Sequence, residues 1–310
     1  MSLTLQNIFT PVLFAECLLG VTVNVFIAAV QIMKWKAVRS LDSCDQIFLC
    51  VGITRSFALT NMFLLYLAEA YHIWILKSLI VNSASVAAAF LLYFTSFWFI
   101  AVLCLFYCVK IASYNHKVFI FMKFRISRLV PWFIGTSLLI SVAFSIPCVW
   151  SRILSFRDNA AIAFHGNVTV TNAGLWQMAK VNLLFIVLGC SFPFFICCGS
   201  TFLLIHSLWR HTRQMRCSGT GFRSPNIETH ISVVKNMSVF LFIQVVDIGY
   251  SVSTFFTLEN VDRSWNFFFI IIACAPSVFH STHLVYSNAK LNQAFREMWH
   301  NIIRCVSIHY

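Results

Sequence analysis

The 310-residue sequence has few charged side chains: Asp, Glu, Lys and Arg together make up 10% of it. Hydrophobic residues make up 59%, and the mean hydropathy is +0.81. A soluble domain of this size could not bury so much apolar surface, so the scarcity of charge excludes a soluble globular protein. The apolar residues also do not alternate with polar ones, which excludes the strands of a lipid-facing β-barrel.

The apolar residues are gathered instead in seven long runs. A helix needs about 20 such residues to cross a bilayer, and backbone groups within lipid must be hydrogen-bonded inside the segment. The predicted fold is therefore an all-α membrane protein, a bundle of seven transmembrane helices that forms one domain over residues 1–310. The predicted helices are 11–33, 46–69, 83–109, 129–150, 181–206, 236–257 and 265–287, and 288–310 is a short tail.

Lys and Arg lie mainly on alternate connections between these runs. With the N-terminus outside, sixteen of the 22 fall in the inner connections and tail, five fall in the outer segments, and Arg55 lies within helix two. This positive-inside pattern predicts an outer N-terminus, a cytoplasmic tail and a multi-pass protein of the plasma membrane. It also explains the net charge of +12, because basic inner loops contact anionic lipid; lipid is thus an expected partner and nucleic acid is not.

The sequence also lacks the motifs of an enzyme and of a metal site. It has no nucleophile elbow and no phosphate-binding loop. None of its twelve cysteines lies in a predicted outer loop, and no His or carboxylate has ligand spacing to them. We therefore expect no catalytic residues, no bound metal and no cofactor.

Two glycosylation sequons occur, but the topology exposes only one of them. Asn167-Val168-Thr169 lies in the second outer loop, whereas Asn236-Met237-Ser238 lies at the inner end of helix six. We expect a glycan at Asn167 alone.

Ionisable and amide side chains at membrane depth are rare and need partners in the protein. Arg55 lies near the middle of helix two, where a charge costs about 2.5–3.5 kcal/mol on insertion scales. Asn24 in helix one and His280 and Ser281 in helix seven lie at a suitable depth to meet it. We interpret these four as a polar clasp between helices one, two and seven, which is either architectural or rearranges between functional states.

Asp247 near the middle of helix six is open to two interpretations. It is either part of a ligand pocket or a buried structural acid. One Asp and one Arg at depth do not form a relay of ionisable groups, which weakens a proton-coupled transporter interpretation.

Six sequence blocks follow one another along nearly the whole chain. They are Glu16, Gly20, Asn24, Phe26 and Ile27 in helix one; Ile53-Thr54-Arg55 in helix two; Trp98 and Leu105-Phe106-Tyr107-Cys108-Val109-Lys110-Ile111-Ala112 at the end of helix three; Pro193-Phe194, Ser207-Leu208-Trp209-Arg210-His211 and Met215 in helix five; Ser224-Pro225 and His230 in the third inner loop; and His280-Ser281, Leu284, Asn288 and Lys290-Leu291 after helix seven. Together they resemble the signatures of the type 2 (bitter) taste receptors, a family of seven-helix G-protein-coupled receptors. The absence of an outer-loop cysteine pair fits this resemblance.

The resemblance implies a pocket for bitter small organic molecules in the outer half of the bundle. In helix three the spacing of residues 89, 90, 93 and 94 places them on one face. Three positions depart from the family pattern. Ala89 stands where many relatives have Trp, Gln244 stands where helix six usually has Tyr, and Pro276 lies four residues before His280 instead of three. The candidate ligand-binding residues are Tyr66, Ala89, Phe90, Tyr93, Phe94, Gln244, Asp247, Ser251 and Ile270.

The resemblance also implies an inner surface that activates a heterotrimeric G protein, gustducin-like and of the Gi type, with phospholipase C and calcium release downstream. The candidate switching and coupling residues are Asn24, Arg55, Tyr107, Lys110, His211, His230, Lys235, His280 and Ser281. Two alternatives are a receptor of the type 1 vomeronasal kind and a membrane transporter or channel. The second would need inverted repeats, broken helices or charged pore rings, none of which the sequence contains.

Overall fold

The computed structural model describes residues 3–71, 73, 78–165, 172–217, 225–257 and 263–308. These residues form helices and connections without a β-strand. The helices are α1 (Leu3–Val38), α2 (Ser43–Ala70), α3 (Leu79–Ile111), α4 (Lys117–His165), α5 (Asn172–Cys217), α6 (Pro225–Thr257), α7 (Arg263–Ser287) and α8 (Ala289–Ile308). The first seven each contain a stretch long and apolar enough to cross a membrane. The prediction of an all-α, seven-helix membrane fold is confirmed.

The helices extend further than the apolar runs that predict them. The largest differences are in α4, which has 49 residues, and α5, which has 46. Hydropathy indicates only the part of a helix that lipid surrounds. The backbone hydrogen bonds of the helix continue into the polar sequence on either side, so the helix is longer than its apolar run. Pro131 and Pro147 in α4 and Pro193 in α5 are accommodated inside these long helices.

The tail contains an eighth helix that the hydropathy pattern does not predict. Asn288 caps it, since its Oδ1 accepts hydrogen bonds from the backbone N–H groups of Lys290 (3.1 Å) and Leu291 (3.2 Å). Leu291 is buried against the bundle, while Phe295 and Trp299 are exposed. Because one face is apolar and the rest polar, its average hydropathy is too low to be read as a membrane span.

An ion-pair cluster joins the end of α1 to the starts of α2 and α8. Lys34 Nζ lies 2.9 Å from Asp42 Oδ2 and is also paired with Asp45. Lys290 Nζ lies 3.8 Å from the same Asp42 oxygen. The chain reverses between α1 and α2 through Arg39, which has a left-handed φ of 58°. We call the end of the bundle that holds this cluster the basic end.

Helix α3 occupies the middle of the bundle, where it packs against α2, α4, α5 and α6, while α1 packs against α2 and α7. The largest buried cluster lies towards the basic end and includes Ile47, Leu103 and Met237. A second cluster joins α1, α2 and α7, and a third joins α3, α4 and α5. Buried polar side chains of α1, α2 and α7 are hydrogen-bonded to one another, and the candidate site is built on them.

Candidate functional site

Arg55 is the centre of a buried hydrogen-bond network, and only 3% of its surface is exposed. Its Nε donates to Ser96 Oγ in α3 at 3.1 Å. Its Nη1 donates to Ser281 Oγ at 3.1 Å and lies 2.5 Å from His280 Nδ1, both in α7. All three direct partners are neutral hydrogen-bonding groups, so the guanidinium is solvated by the protein rather than by a contacting carboxylate.

Ser281 extends the network to α1. Its hydroxyl donates to Asn24 Oδ1 at 2.7 Å, and Asn24 Nδ2 donates to the backbone oxygen of Gly20 at 2.7 Å. The structure therefore brings Asn24, Arg55, His280 and Ser281 together, as the clasp interpretation expects. We refer to these four residues and Ser96 as the clasp; its role in switching remains a prediction.

Ser96 is the member of the clasp that the sequence analysis missed. A serine in a transmembrane helix satisfies its hydroxyl with a backbone oxygen of its own helix just as readily as with another helix. Thr60, Thr136 and Ser191 are bonded in that way here. Only the depth of Ser96, one turn beyond Tyr93 on α3, could have indicated its partner.

Helix α6 reaches the clasp through an aromatic contact. The ring of Phe240 stacks on the His280 imidazole, with centroids 4.0 Å apart and an angle of 24° between the planes. Both side chains are fully buried. This contact fixes the His280 ring, so that its Nδ1 faces Arg55.

Further from the basic end, α3 and α6 meet through a second polar contact. The Tyr93 hydroxyl lies 2.9 Å from Ser251 Oγ, which donates in turn to the backbone oxygen of Asp247 at 3.0 Å. The Asp247 side chain is half-buried, and among the described residues no basic group lies within 4.0 Å of its carboxylate. Tyr93, Asp247 and Ser251 are thus three predicted ligand-binding residues that the structure places side by side.

Gln244 lies one turn before Asp247 on α6 and is 2% exposed. Neither the oxygen nor the nitrogen of its side-chain amide has a hydrogen-bond partner within the described parts of the chain. A buried amide without partners is costly, so this position is suited to binding a polar group brought in from outside.

Two other predicted ligand-binding residues lie away from this group, between α1, α2 and α7, whereas Phe94 is in contact with the Tyr93 ring. Tyr66 is 1% exposed, packs between α1, α2 and α7, and has its hydroxyl 2.5 Å from Thr10 Oγ1 in α1. Ile270 packs against the same cluster. Phe94 is fully buried with Phe144 and would collide with any Cβ added at Gly189, which places it between α3, α4 and α5.

The residues on this face of α3 meet two sets of neighbours. Consecutive residues of a helix point about 100° apart. Tyr93 reaches Ser251 in α6 and also packs against the cluster around Phe94, whereas Phe94 itself is enclosed by α4 and α5. Phe90 packs partly buried against the Phe94 cluster, and Ala89 is half-buried. A ligand role for these residues remains a prediction.

The candidate coupling residues outside the clasp belong to parts of the chain at or near the basic end. Cys44 Sγ in α2 donates to the Tyr107 hydroxyl at 3.6 Å, while Lys110 and Lys235 are exposed. The side chains of His211 in α5 and His230 in α6, and the whole of Asn167, lie outside the described residues.

A hydrogen-bonded junction at this end was not predicted from the sequence. The Tyr114 hydroxyl, in the connection after α3, donates to the Leu203 backbone oxygen in α5 at 2.7 Å. Its ring is parallel to that of His206, whose Nδ1 lies 3.0 Å from the same hydroxyl. The backbone N–H of Ser113 donates to Ser207 Oγ at 2.9 Å. Burial raises the pKa of Tyr114. The hydroxyl is the donor to Leu203, because a backbone oxygen can only accept.

Comparison with known proteins gives matches over nearly the whole chain. A family model described as taste receptor protein (TAS2R) matches residues 1–302. Taste receptor type 2 member 39 of Macaca mulatta is 30% identical over 295 residues, covering 94% of this chain and 86% of the relative. Taste receptor type 2 member 40 of Gallus gallus is 30% identical over 305 residues, covering 94% of each. Taste receptor type 2 member 9 of Papio hamadryas is 29% identical over 307 residues, covering 95% of this chain and 94% of the relative.

Proposed function

Because the chain belongs to the type 2 taste receptor family, we propose that it binds amphipathic organic molecules beside the contact of Tyr93 with Ser251. As a member of this family, it is a bitter-taste G-protein-coupled receptor of the plasma membrane and not an enzyme. The observation that carries the proposal is the unpaired, buried Gln244 amide one turn from Asp247. Small-molecule sites typically have apolar walls and a small number of polar groups that anchor the ligand.

The agonist acts by shifting an equilibrium between two arrangements of the helices. It can shift this equilibrium only by the difference in its affinity for the two states. The clasp and the Phe240–His280 stack connect the ligand-binding part of α6 to α1, α2, α3 and α7, so they are the natural elements to rearrange. The basic end then receives the G protein, which we propose to be gustducin-like and of the Gi type, with phospholipase C and calcium release downstream.

A calcium assay tests this function. Cells that express the receptor with a chimeric Gα are challenged with a broad panel of bitter compounds, and the same cells without the Gα serve as the control. We expect concentration-dependent calcium release that requires the Gα. Ion current or solute uptake in cells without the Gα would overturn the receptor function in favour of a channel or transporter.

The proposed orientation, with the N-terminus outside, is tested separately. A tag after Tyr310 should bind antibody only after the cells are permeabilised, and a tag before Met1 should bind it on intact cells. The reverse result would place the basic end outside and contradict G-protein coupling there.

A further inference from the structure

Two buried thiols face each other between α1 and α7. Cys17 in α1 is 4% exposed and Cys274 in α7 is 2% exposed, and both are free thiols of the cluster that joins α1, α2 and α7. These two helices are parallel, because α1 ends at the ion-pair cluster of the basic end and α7 leads into α8, whose Lys290 belongs to the same cluster. Residues that meet across parallel helices therefore differ in number by a nearly constant amount.

Two contacts fix the register of α1 on α7. Ser281 donates a hydrogen bond to Asn24, and the two residues are 257 positions apart. One turn further from the basic end, a Cβ added at Gly20 would lie 2.8 Å from Val278 Cγ2. The two cysteines are separated by the same 257 positions, so this register places them opposite each other, two turns from the bond between Ser281 and Asn24. The thiols are also hydrogen-bonded to each other.

The backbone of α1 approaches its neighbours closely at this depth. Gly20 lies one turn from Cys17, and a Cβ there would also lie 2.5 Å from Leu59 Cδ1 in α2. Small residues let the backbones of membrane helices come together, and a disulfide needs Cα atoms only about 4.4–6.8 Å apart. Opposed thiols beside a close helix approach are the arrangement that a disulfide between two helices requires.

We propose that Cys17 and Cys274 form a modification site, a dithiol that a hydroperoxide oxidises to a disulfide between α1 and α7. The inference goes beyond the proposed function and does not depend on it. Hydrogen peroxide is the suitable oxidant, because it is small and uncharged and can enter an apolar interior that excludes charged oxidants.

The reaction has two steps. One thiol sulfur attacks a peroxide oxygen, which breaks the O–O bond, releases one water and leaves a sulfenic acid. The second thiol attacks that sulfur, so an S–S bond replaces the S–O bond and a second water leaves. Both sulfurs are oxidised, both peroxide oxygens are reduced, and the two thiol protons end in the water. A thiol reductant reverses the modification by exchange.

The bridge restrains the clasp. It holds α1 against α7 two turns from the hydrogen bond between Asn24 and Ser281. A rearrangement of the clasp that separates these two helices is therefore open to the reduced receptor and closed to the oxidised one.

The experiment uses a protease site inserted in the connection between α5 and α6. Of the twelve cysteines, only Cys274 and Cys305 follow this connection, and Cys305, which is exposed, is replaced by serine. The purified receptor is treated with hydrogen peroxide and its remaining thiols are blocked with N-ethylmaleimide. The chain is then denatured, cleaved and run on a non-reducing gel. The two fragments stay joined only if a disulfide connects Cys274 to a cysteine of the first fragment.

We expect the fragments to stay joined after oxidation and to separate after treatment with dithiothreitol. Cys17→Ser and Cys274→Ser should each abolish the joined form. Oxidation should also raise the melting temperature of the uncleaved receptor, because the bridge joins residues far apart in sequence and so restricts the unfolded chain. Cys17→Ser should remove this rise.

The matched control is Cys148→Ser. The Cys148 thiol is also fully buried, but it lies in α4 and donates to the Phe144 backbone oxygen. This variant should keep the joined form. A second pair of buried cysteines, Cys104 in α3 and Cys197 in α5, belongs to the largest cluster. A bridge between those two would lie within the first fragment and could not join it to the second.

Separate fragments after oxidation of the receptor that retains both thiols would overturn the proposal, as would a joined form that persists in Cys17→Ser. Sulfinic acid at either cysteine without a joined form would overturn it too. If a serine variant does not fold, peptide mass spectrometry of the oxidised receptor identifies the partner of Cys274 directly, and any partner other than Cys17 contradicts the inference. None of these measurements uses signalling, so a receptor without calcium release contradicts the proposed function alone.

Discussion

Ser281 stands between Asn24 and Arg55 and uses both capacities of its hydroxyl. It donates its proton to Asn24 Oδ1 at 2.7 Å and accepts a hydrogen bond from Arg55 Nη1 at 3.1 Å. Because Asn24 Oδ1 is an acceptor and the guanidinium can only donate, no other orientation of the hydroxyl satisfies both neighbours. One serine thus links three helices, α1, α2 and α7.

Replacing this serine should be much more harmful than the loss of one exposed hydroxyl. Ser281→Ala leaves an amide oxygen and a guanidinium N–H buried without that partner, and each costs about 1–3 kcal/mol. We expect a lower melting temperature of the purified receptor, reduced surface expression and altered basal signalling. Ser238→Ala, on an exposed face of α6 where the hydroxyl only bonds its own helix, is the control and should be near neutral. Equal melting temperatures for the two variants would contradict the clasp.

Gly52 allows α1 and α2 to approach more closely than any other residue would. A Cβ at this position would lie 2.8 Å from the backbone oxygen of Asn24 and 3.2 Å from the backbone nitrogen of Ala28. Backbone atoms cannot rotate away, so Gly52→Ala should push the helices apart at a cost of about 1–3 kcal/mol.

The matched control is Gly199→Ala in α5, where an added Cβ meets no atom within 4 Å. There alanine should stabilise the helix by up to about 1 kcal/mol. Thermal melting in detergent compares the two variants. A Gly52→Ala receptor as stable as the Gly199→Ala receptor would show that the α1–α2 approach is looser than described here.

Tyr93→Phe tests the polar contact of the pocket while preserving its shape. The variant removes the hydroxyl that reaches Ser251 but keeps the ring against Phe97, so the receptor should still fold. We expect agonist potency to fall about three- to tenfold, since a net hydrogen bond contributes about 0.5–1.5 kcal/mol. Tyr286→Phe on the exposed face of α7 should leave potency unchanged. Unshifted potency of several chemically different agonists on Tyr93→Phe would remove Tyr93 from the pocket.

The sequence predicts the clasp better than it predicts the pocket, and the reason is physical. Polar groups in lipid must find partners, and only a few lie at the depth of Arg55, so Asn24, His280 and Ser281 could be assigned to it. Aromatic side chains have no such restriction. Tyr66 and Phe94 are as suited to packing between helices as to binding a ligand, and only the direction in which each points decides. That direction depends on how each helix is rotated about its axis. Residue spacing alone determines this rotation only to within the 100° that separates neighbouring residues.

The Tyr114 junction should affect coupling rather than ligand recognition. Tyr114→Phe removes the bond to the Leu203 oxygen and the contact with His206, which frees the connection after α3 from α5. We expect a changed maximal calcium response with agonist potencies in the same rank order. Tyr71→Phe, exposed at the opposite end of the bundle, is the control. A changed rank order of agonists on Tyr114→Phe would instead indicate an effect on the pocket.

Glycosylation should occur at one of the two sequons only. Asn236 lies in α6 near the basic end, where its Oδ1 is 3.1 Å from His283 Nε2 in α7, so its side chain already has a partner between two helices. The predicted topology places this end of α6 in the cytoplasm, where a glycosyltransferase in the lumen cannot reach the side chain. Asn167 is the sequon that the predicted topology places in an outer loop.

Treatment of the wild-type receptor with a glycosidase should therefore increase its electrophoretic mobility. Asn167→Gln should abolish this change, while Asn236→Gln preserves it. A glycan that persists in Asn167→Gln and disappears in Asn236→Gln would place the basic end outside the cell.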